Sequence, residues 1–70
     1  MKKILYPELV GEMAKRGESQ YTLAELLGTT YWAIHRRMLG VTEWKMSETD
    51  KVCEYYGKSY DELFKKNIEK

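Results

Sequence analysis

Apolar residues recur along this chain at helical spacing in short segments, each closed by a glycine: Gly17, Gly28, Gly40 and Gly57. The first predicted helix starts at Pro7, because proline's fixed φ suits the first helical position. It sets Leu9 and Met13 one turn apart with Val10 beside them, and Lys15 and Arg16 favour its C-terminal dipole before Gly17 stops it. Ser19 is the expected N-cap of a second helix over about 20–27, with Leu23, Ala24 and Leu27 at core spacing and Gly28 as its end. Thr30 caps a third helix over about 31–39, which carries Ile34 and Met38 at i, i+4 and ends by Gly40. Residues Val41–Met46 read as an extended connection whose Trp44 folds back on the core. Ser47-Glu48-Thr49-Asp50 resembles a capping box, with Asp in place of the usual Glu or Gln, and Val52, Cys53 and Tyr56 follow as an apolar stripe. Ser59-Tyr60-Asp61-Glu62 is a complete capping box that opens a last short helix with Leu63 and Phe64. Five short helices without a credible strand pair predict an all-α bundle, a single domain over residues 1–70.

Helix two, the tight turn Gly28-Thr29-Thr30 and helix three form a helix-turn-helix unit. Ala24 sits where the two helices cross, and its small side chain allows close approach. Gly28 takes the left-handed conformation that ends helix two and turns the chain. Ile34 fixes helix three onto the helices before it, so the other face must point outward. At about 100° per residue, Tyr31, Trp32, His35 and Arg36 fall within an arc of roughly 140°, with Ile34 and Met38 on the other side. All four exposed side chains donate hydrogen bonds, and three have flat faces able to pack on a thymine methyl. In this architecture the N-terminal half of the outer helix enters the major groove. Arg36 is the side chain best suited to a bidentate contact with guanine.

Ser19-Gln20, Leu23-Ala24, Leu27-Gly28, Thr30, Ile34 and Gly40 resemble the pattern shared by lambdoid phage repressors, Cro proteins and the wider Xre family. Trp44-Lys45-Met46-Ser47-Glu48 and Gly57-Lys58-Ser59-Tyr60-Asp61-Glu62-Leu63-Phe64 are similar to the ends of short phage-type members, so the resemblance covers about residues 5–66. It implies a lambda repressor-like fold and a sequence-specific transcriptional regulator that binds as a homodimer to double-stranded DNA and occludes a promoter. Gln20 matches a glutamine that contacts phosphate and braces the first recognition residue. Thr30 matches a capping residue close to phosphate, Tyr31 and Trp32 the principal base-reading positions, and Arg36 a further one. The backbone amides of Gly40–Thr42 fall where the family touches the phosphate chain. With His35 and Arg37 on the same helix, the candidate DNA-binding set is Gln20, Thr30, Tyr31, Trp32, His35, Arg36 and Arg37. The family usually carries small or polar residues where Tyr31 and Trp32 stand, so these rings have three destinations: DNA, a protein surface, or the core, with Trp32 folded back over the helix start. Leu39 replaces a common Asn and is expected to be exposed. Arg37 lies at the edge of the buried face.

Composition narrows the alternatives. At 70 residues, a chain buries only about 60% of the surface its unfolded form exposes, which favours local helical packing. Hydrophobic residues are 43% and charged residues 33%, too apolar for disorder. No apolar run approaches the roughly 18 residues of a membrane span. After Met1-Lys2-Lys3, only Ile4 and Leu5 precede Tyr6-Pro7, which leaves no signal-peptide core. Cys53 is the one cysteine; it predicts no internal disulfide, no cysteine-based zinc cage and a reducing cytoplasm. The net charge of +1 gives no global attraction to a polyanion, although residues 1–46 balance to +2 (seven basic, five acidic) and residues 47–70 to −1 (five and six). His35 lacks a carboxylate or thiol three or four positions away, where Tyr31, Trp32, Met38 and Leu39 stand, so no metal site is expected. With one His, one Cys, no phosphate loop and no paired carboxylates in an apolar pocket, neither catalysis, a cofactor nor a small-molecule substrate is expected. Cys53 and Trp44 read as core residues, and Asp61–Lys70 as a solvated face and tail. The alternative function is a helix-turn-helix used as a protein-interaction module, of antirepressor or antitoxin-like kind.

Overall fold

A computed structural model describes residues 4–66. The basic Met1–Lys3 start and positions 67–70 of the expected tail lie outside the described residues. Five helices follow one another: α1 (Pro7–Lys15), α2 (Gln20–Leu27), α3 (Tyr31–Leu39), α4 (Met46–Tyr56) and α5 (Tyr60–Leu63). No strand occurs among the described residues, so the fold is an all-α small bundle. No described helix is long and apolar enough to cross a membrane.

The first three helices begin where the sequence places them, for the expected reasons. Pro7 opens α1. Ser19 Oγ accepts from the Tyr21 amide at 3.2 Å, while the Ser19 amide donates back to Thr22 Oγ1 at 3.3 Å, a reciprocal cap with Thr in the usual place of Glu. Thr30 Oγ1 accepts from the Ala33 amide at 3.1 Å and starts α3. Gly28 ends α2 with φ 67°, a conformation an L side chain resists, and lets the chain reverse within two residues.

The start of α4 corrects the sequence reading. The helix begins at Met46, and Ser47 already lies inside it. Its cap is Lys45, whose amide donates to Glu48 Oε1 at 3.0 Å. The same carboxylate oxygen accepts from Arg37 Nε at 2.9 Å, so one side chain both starts α4 and ties it to α3. The Ser47–Asp50 box loses because Glu48, three residues after Lys45, satisfies an orphan amide and a guanidinium at once. The α5 box forms as expected: the Ser59 amide donates to Glu62 Oε1 at 3.1 Å and the Glu62 amide donates to Ser59 Oγ at 3.3 Å.

The core gathers Leu9 and Met13 from α1, Leu23 and Ala24 from α2, and Ile34 and Met38 from α3. Tyr6, Val52, Tyr56, Leu63 and Phe64 complete it. Helix α1 packs on α5, α4 on α5, and α2 on both α3 and α4. Trp44 folds back, as its position in the connection suggests, and meets Phe64 edge-on at 5.2 Å and Tyr6 at 6.5 Å. Cys53 is half-buried against the core, and burial first, then the charge of Asp50, pushes its thiol up. It therefore stays protonated near neutrality and fills space.

A second tie joins the α1–α2 turn to the end of α4. The Tyr56 hydroxyl donates to Glu18 Oε1 at 2.9 Å and the Tyr55 hydroxyl donates to the other oxygen of that carboxylate. The Arg16 guanidinium lies over both rings, 4.7 Å from the Tyr56 centroid and 5.2 Å from that of Tyr55. Burial, reinforced by the bond to Glu18, holds the Tyr56 phenol well above its ordinary range, so it remains a donor. This tie and the Arg37–Glu48 pair hold α4 at its two ends, one to the α1–α2 turn and the other to α3.

Candidate nucleic-acid interface

The outward face of α3 is built from its first two turns. Ile34 is fully buried and Met38 nearly so, which turns Trp32 and Arg36 to solvent. Met38 does not lie opposite the whole arc, as the sequence reading has it: Tyr31 stands only about 20° around the helix from it, and is half-buried at the seam between the core and the exposed arc. Trp32 is 64% exposed. Of the three destinations open to these rings, the core is excluded for Trp32, which points outward, while Tyr31 holds the seam.

These rings are organised against one another. Tyr21 of α2 stacks on Tyr31, with centroids 4.5 Å apart and planes 27° from parallel. Tyr31 stacks in turn on His35 one helical turn later, at 5.7 Å and 12°. Trp32 stands across this column, edge-on to Tyr31 at 5.2 Å and to His35 at 5.7 Å. Aromatic pairs of this geometry contribute about 0.5–1.5 kcal/mol each beyond the area they bury. The face is thus pre-organised, and its side chains lose less freedom when a partner docks.

Gln20, the first residue of α2, reaches the same cluster. Its Oε1 lies 3.1 Å from His35 Nδ1. The resemblance assigns Gln20 to brace the first recognition residue; in the structure it braces His35, the fifth residue of α3, and Tyr31 is held by Tyr21 instead. Thr30 keeps its hydroxyl hydrogen available after its oxygen has accepted from the Ala33 amide. Arg36 is exposed and makes no ion pair among the described residues.

Two expectations are corrected here. Arg37 does not join the exposed set: besides its bond to Glu48, its Nη1 donates to the Ala33 carbonyl at 3.0 Å, and only 12% of its side chain is exposed. The Gly40, Val41 and Thr42 amides are also engaged inside the protein. Gly40 donates to the Arg37 carbonyl at 3.1 Å, and Val41 and Thr42 donate to that of Arg36 at 3.0 and 3.3 Å. They close the C-terminus of α3 rather than standing free for phosphate.

The interface therefore brings together Gln20, Thr30, Tyr31, Trp32, His35 and Arg36, and adds Tyr21, which the sequence reading passed over. Tyr21 is 67% exposed and lies off the Leu23–Ala24 core stripe, beside Gln20. That placement was a usable signal, but its stack on Tyr31 depends on how α2 and α3 cross. Among the described residues, no group of three His, Cys, Asp or Glu side chains is placed to hold a metal ion. An apolar cleft of about 400 Å³ lies apart from this face, lined by Trp44, Met46, Thr49 and Tyr60.

No curated protein and no solved structure matches this chain. One family model does match, over residues 10–70, and its description is the BetR domain.

Proposed function

The chain belongs to the BetR domain family, and from that premise we propose that it is a sequence-specific regulator that inserts α3 into the major groove of double-stranded DNA. The observation that carries this reading is the exposed, pre-organised face of α3, where Trp32, His35 and Arg36 project from a helix anchored by Ile34 and braced by α2. A helix-turn-helix exposes its second helix in this way to reach base edges. Arg36 supplies bidentate donors for guanine, the rings supply flat apolar faces for thymine methyls, and the Thr30 hydroxyl supplies a donor for phosphate. A regulatory, DNA-binding module agrees with the small helical domain that the family match supports. The finer assignment, a repressor/Cro-type protein of phage or prophage origin related to the Xre family and working in the cytoplasm, rests on the residues that carry that resemblance.

The reading includes a homodimer and no catalysis. The molecule measures 34 × 25 × 24 Å, while half-sites one helical turn apart are separated by about 34–36 Å. One copy cannot present α3 to both, whereas two copies side by side can. Leu39, Val41, Met46 and Tyr60 are exposed apolar side chains available for such a contact.

A second reading, a protein-interaction module, is favoured by the net charge of +1 and by the exposed Tyr21 and Trp32 rings. Selection of binding sites from random duplex DNA at low and near-physiological salt separates the two. Enrichment of a palindrome with half-sites about 10 bp apart, held more weakly as salt rises, supports the regulator. Absence of any enriched duplex even at low salt rejects it, and an aromatic-anchored protein contact, little affected by salt, takes its place.

A further inference from the structure

His35 is the one histidine of the chain, and its ring is held from three sides. Tyr31 stacks on one face, Trp32 presents its edge, and Gln20 Oε1 stands 3.1 Å from Nδ1. An amide oxygen carries lone pairs and no hydrogen, so with Gln20 Oε1 turned to the ring, Nδ1 is the donor in that bond. A neutral imidazole has a single N–H. Nε2 is then left with its lone pair. No protein group among the described residues bonds Nε2. His35 is half-buried, and its Nε2 is not one of the fully buried, unpartnered polar atoms among those residues.

We propose that Gln20 acts as a positioning residue that fixes His35 with Nε2 as a hydrogen-bond acceptor, so that His35 selects a base presenting an amino group in the major groove. This inference rests on the reading of α3 as the DNA-reading helix. The amino groups in question are adenine N6 and cytosine N4; guanine and thymine present only acceptors and a methyl group there. A neutral His35 aimed at guanine O6 sets acceptor against acceptor and is rejected. Protonation inverts the preference: Nδ1 keeps its bond to Gln20, Nε2 becomes a donor, and guanine N7 or O6 becomes the match. The groups facing the ring are Gln20 from α2, Tyr31 and Trp32 from α3, and Tyr21 through its stack on Tyr31. No carboxylate forms an ion pair with His35 among the described residues.

Two measurements test the proposal together. The first is the ring-nitrogen NMR spectrum of the free protein at about pH 8, where a sole histidine leaves no ambiguity of assignment. The expected spectrum shows a protonated Nδ1 and a lone-pair Nε2. Gln20→Leu moves the ring towards the Nε2–H form, and Gln20→Glu, whose carboxylate also accepts, restores the wild-type form. A wild-type ring protonated on Nε2 overturns the proposal, whatever the DNA results. The second is site selection from random duplexes at about pH 8 and about pH 5.5, with wild type, His35→Ala and Gln20→Leu. Wild type is expected to favour adenine or cytosine at one position by about five- to tenfold at the higher pH, and to shift towards guanine at the lower. Both variants lose that preference. If His35→Ala selects the same bases at every position, the proposal fails and α3 still reads DNA. If wild type enriches no duplex at either pH, the reading of α3 fails and takes the proposal with it.

Discussion

Arg36 and Arg37 are adjacent in sequence and differ in everything that matters for binding. About 100° of helix separates them. That rotation leaves Arg36 in solvent and brings Arg37 to Glu48 of α4. Arg36→Ala should cost roughly 1–3 kcal/mol of DNA binding and relax the preference at one base pair, read by titrating a panel of single-base variants of the selected site. A loss uniform across the panel identifies a phosphate contact instead. Arg37→Ala should leave the base preference of the folded protein unchanged and lower its stability by about 1–3 kcal/mol, measured by thermal or denaturant unfolding, because a charge-assisted bond between two largely buried side chains is removed. The sequence places Arg37 at the edge of the buried face but does not reveal its partner, since the pairing spans eleven positions and depends on how α4 returns. Trp32 and Tyr31 differ in the same way: the helical period sets Tyr31 beside Met38 and Trp32 about 100° further round, whereas the stack of Tyr21 on Tyr31 depends on how α2 and α3 cross.

At the scale of the element, the chain is legible wherever a cap is local. Ser19, Thr30 and Ser59 each mark a helix start that the structure reproduces, because their capping bonds close within three residues, and Pro7 marks one through its fixed φ. The start of α4 escaped because its cap is shared with a guanidinium from another helix. Gly40 shows how much one position can carry. It ends α3 at φ 82°, and a Cβ added there would meet Leu5 Cδ2 at 2.9 Å. Gly40→Ala should destabilise the fold by about 1–2 kcal/mol from backbone strain alone, detectable as a lower denaturation midpoint. The α5 cap is pH-dependent. The amide and hydroxyl of Ser59 hold the Glu62 carboxyl below its ordinary range. A carboxyl lowered in the folded state stabilises above its unfolded pKa, and that stabilisation disappears as pH falls through the lowered folded value. Acid should therefore loosen α5, seen as lower exchange protection of the Leu63 and Phe64 amides, and Ser59→Ala should remove only part of that acid sensitivity, because the Ser59 amide still donates to Glu62, while costing about 1 kcal/mol at neutral pH.

For the whole molecule, a bundle of five helices with a helix-turn-helix could be read from period and punctuation, and its core residues largely from the same pattern. The two clamps on α4 could not, because Glu18 with Tyr55 and Tyr56, and Arg37 with Glu48, are distant pairs. Nor could the aromatic column, whose links between α2 and α3 depend on their crossing. Ile34 connects the two levels: it is fully buried and sets the rotation of α3. Ile34→Ala should cost about 2–5 kcal/mol of stability and weaken DNA binding through loss of folded protein. The central claim is that the exposed face of α3 meets DNA. The chain has two tryptophans, one on that face and one packed against Tyr6 and Phe64. Following their two indole N–H resonances while the selected duplex is added tests the claim most directly. The Trp32 resonance should shift and saturate while that of Trp44 stays in place. A bound complex in which Trp44 shifts and Trp32 does not would contradict it.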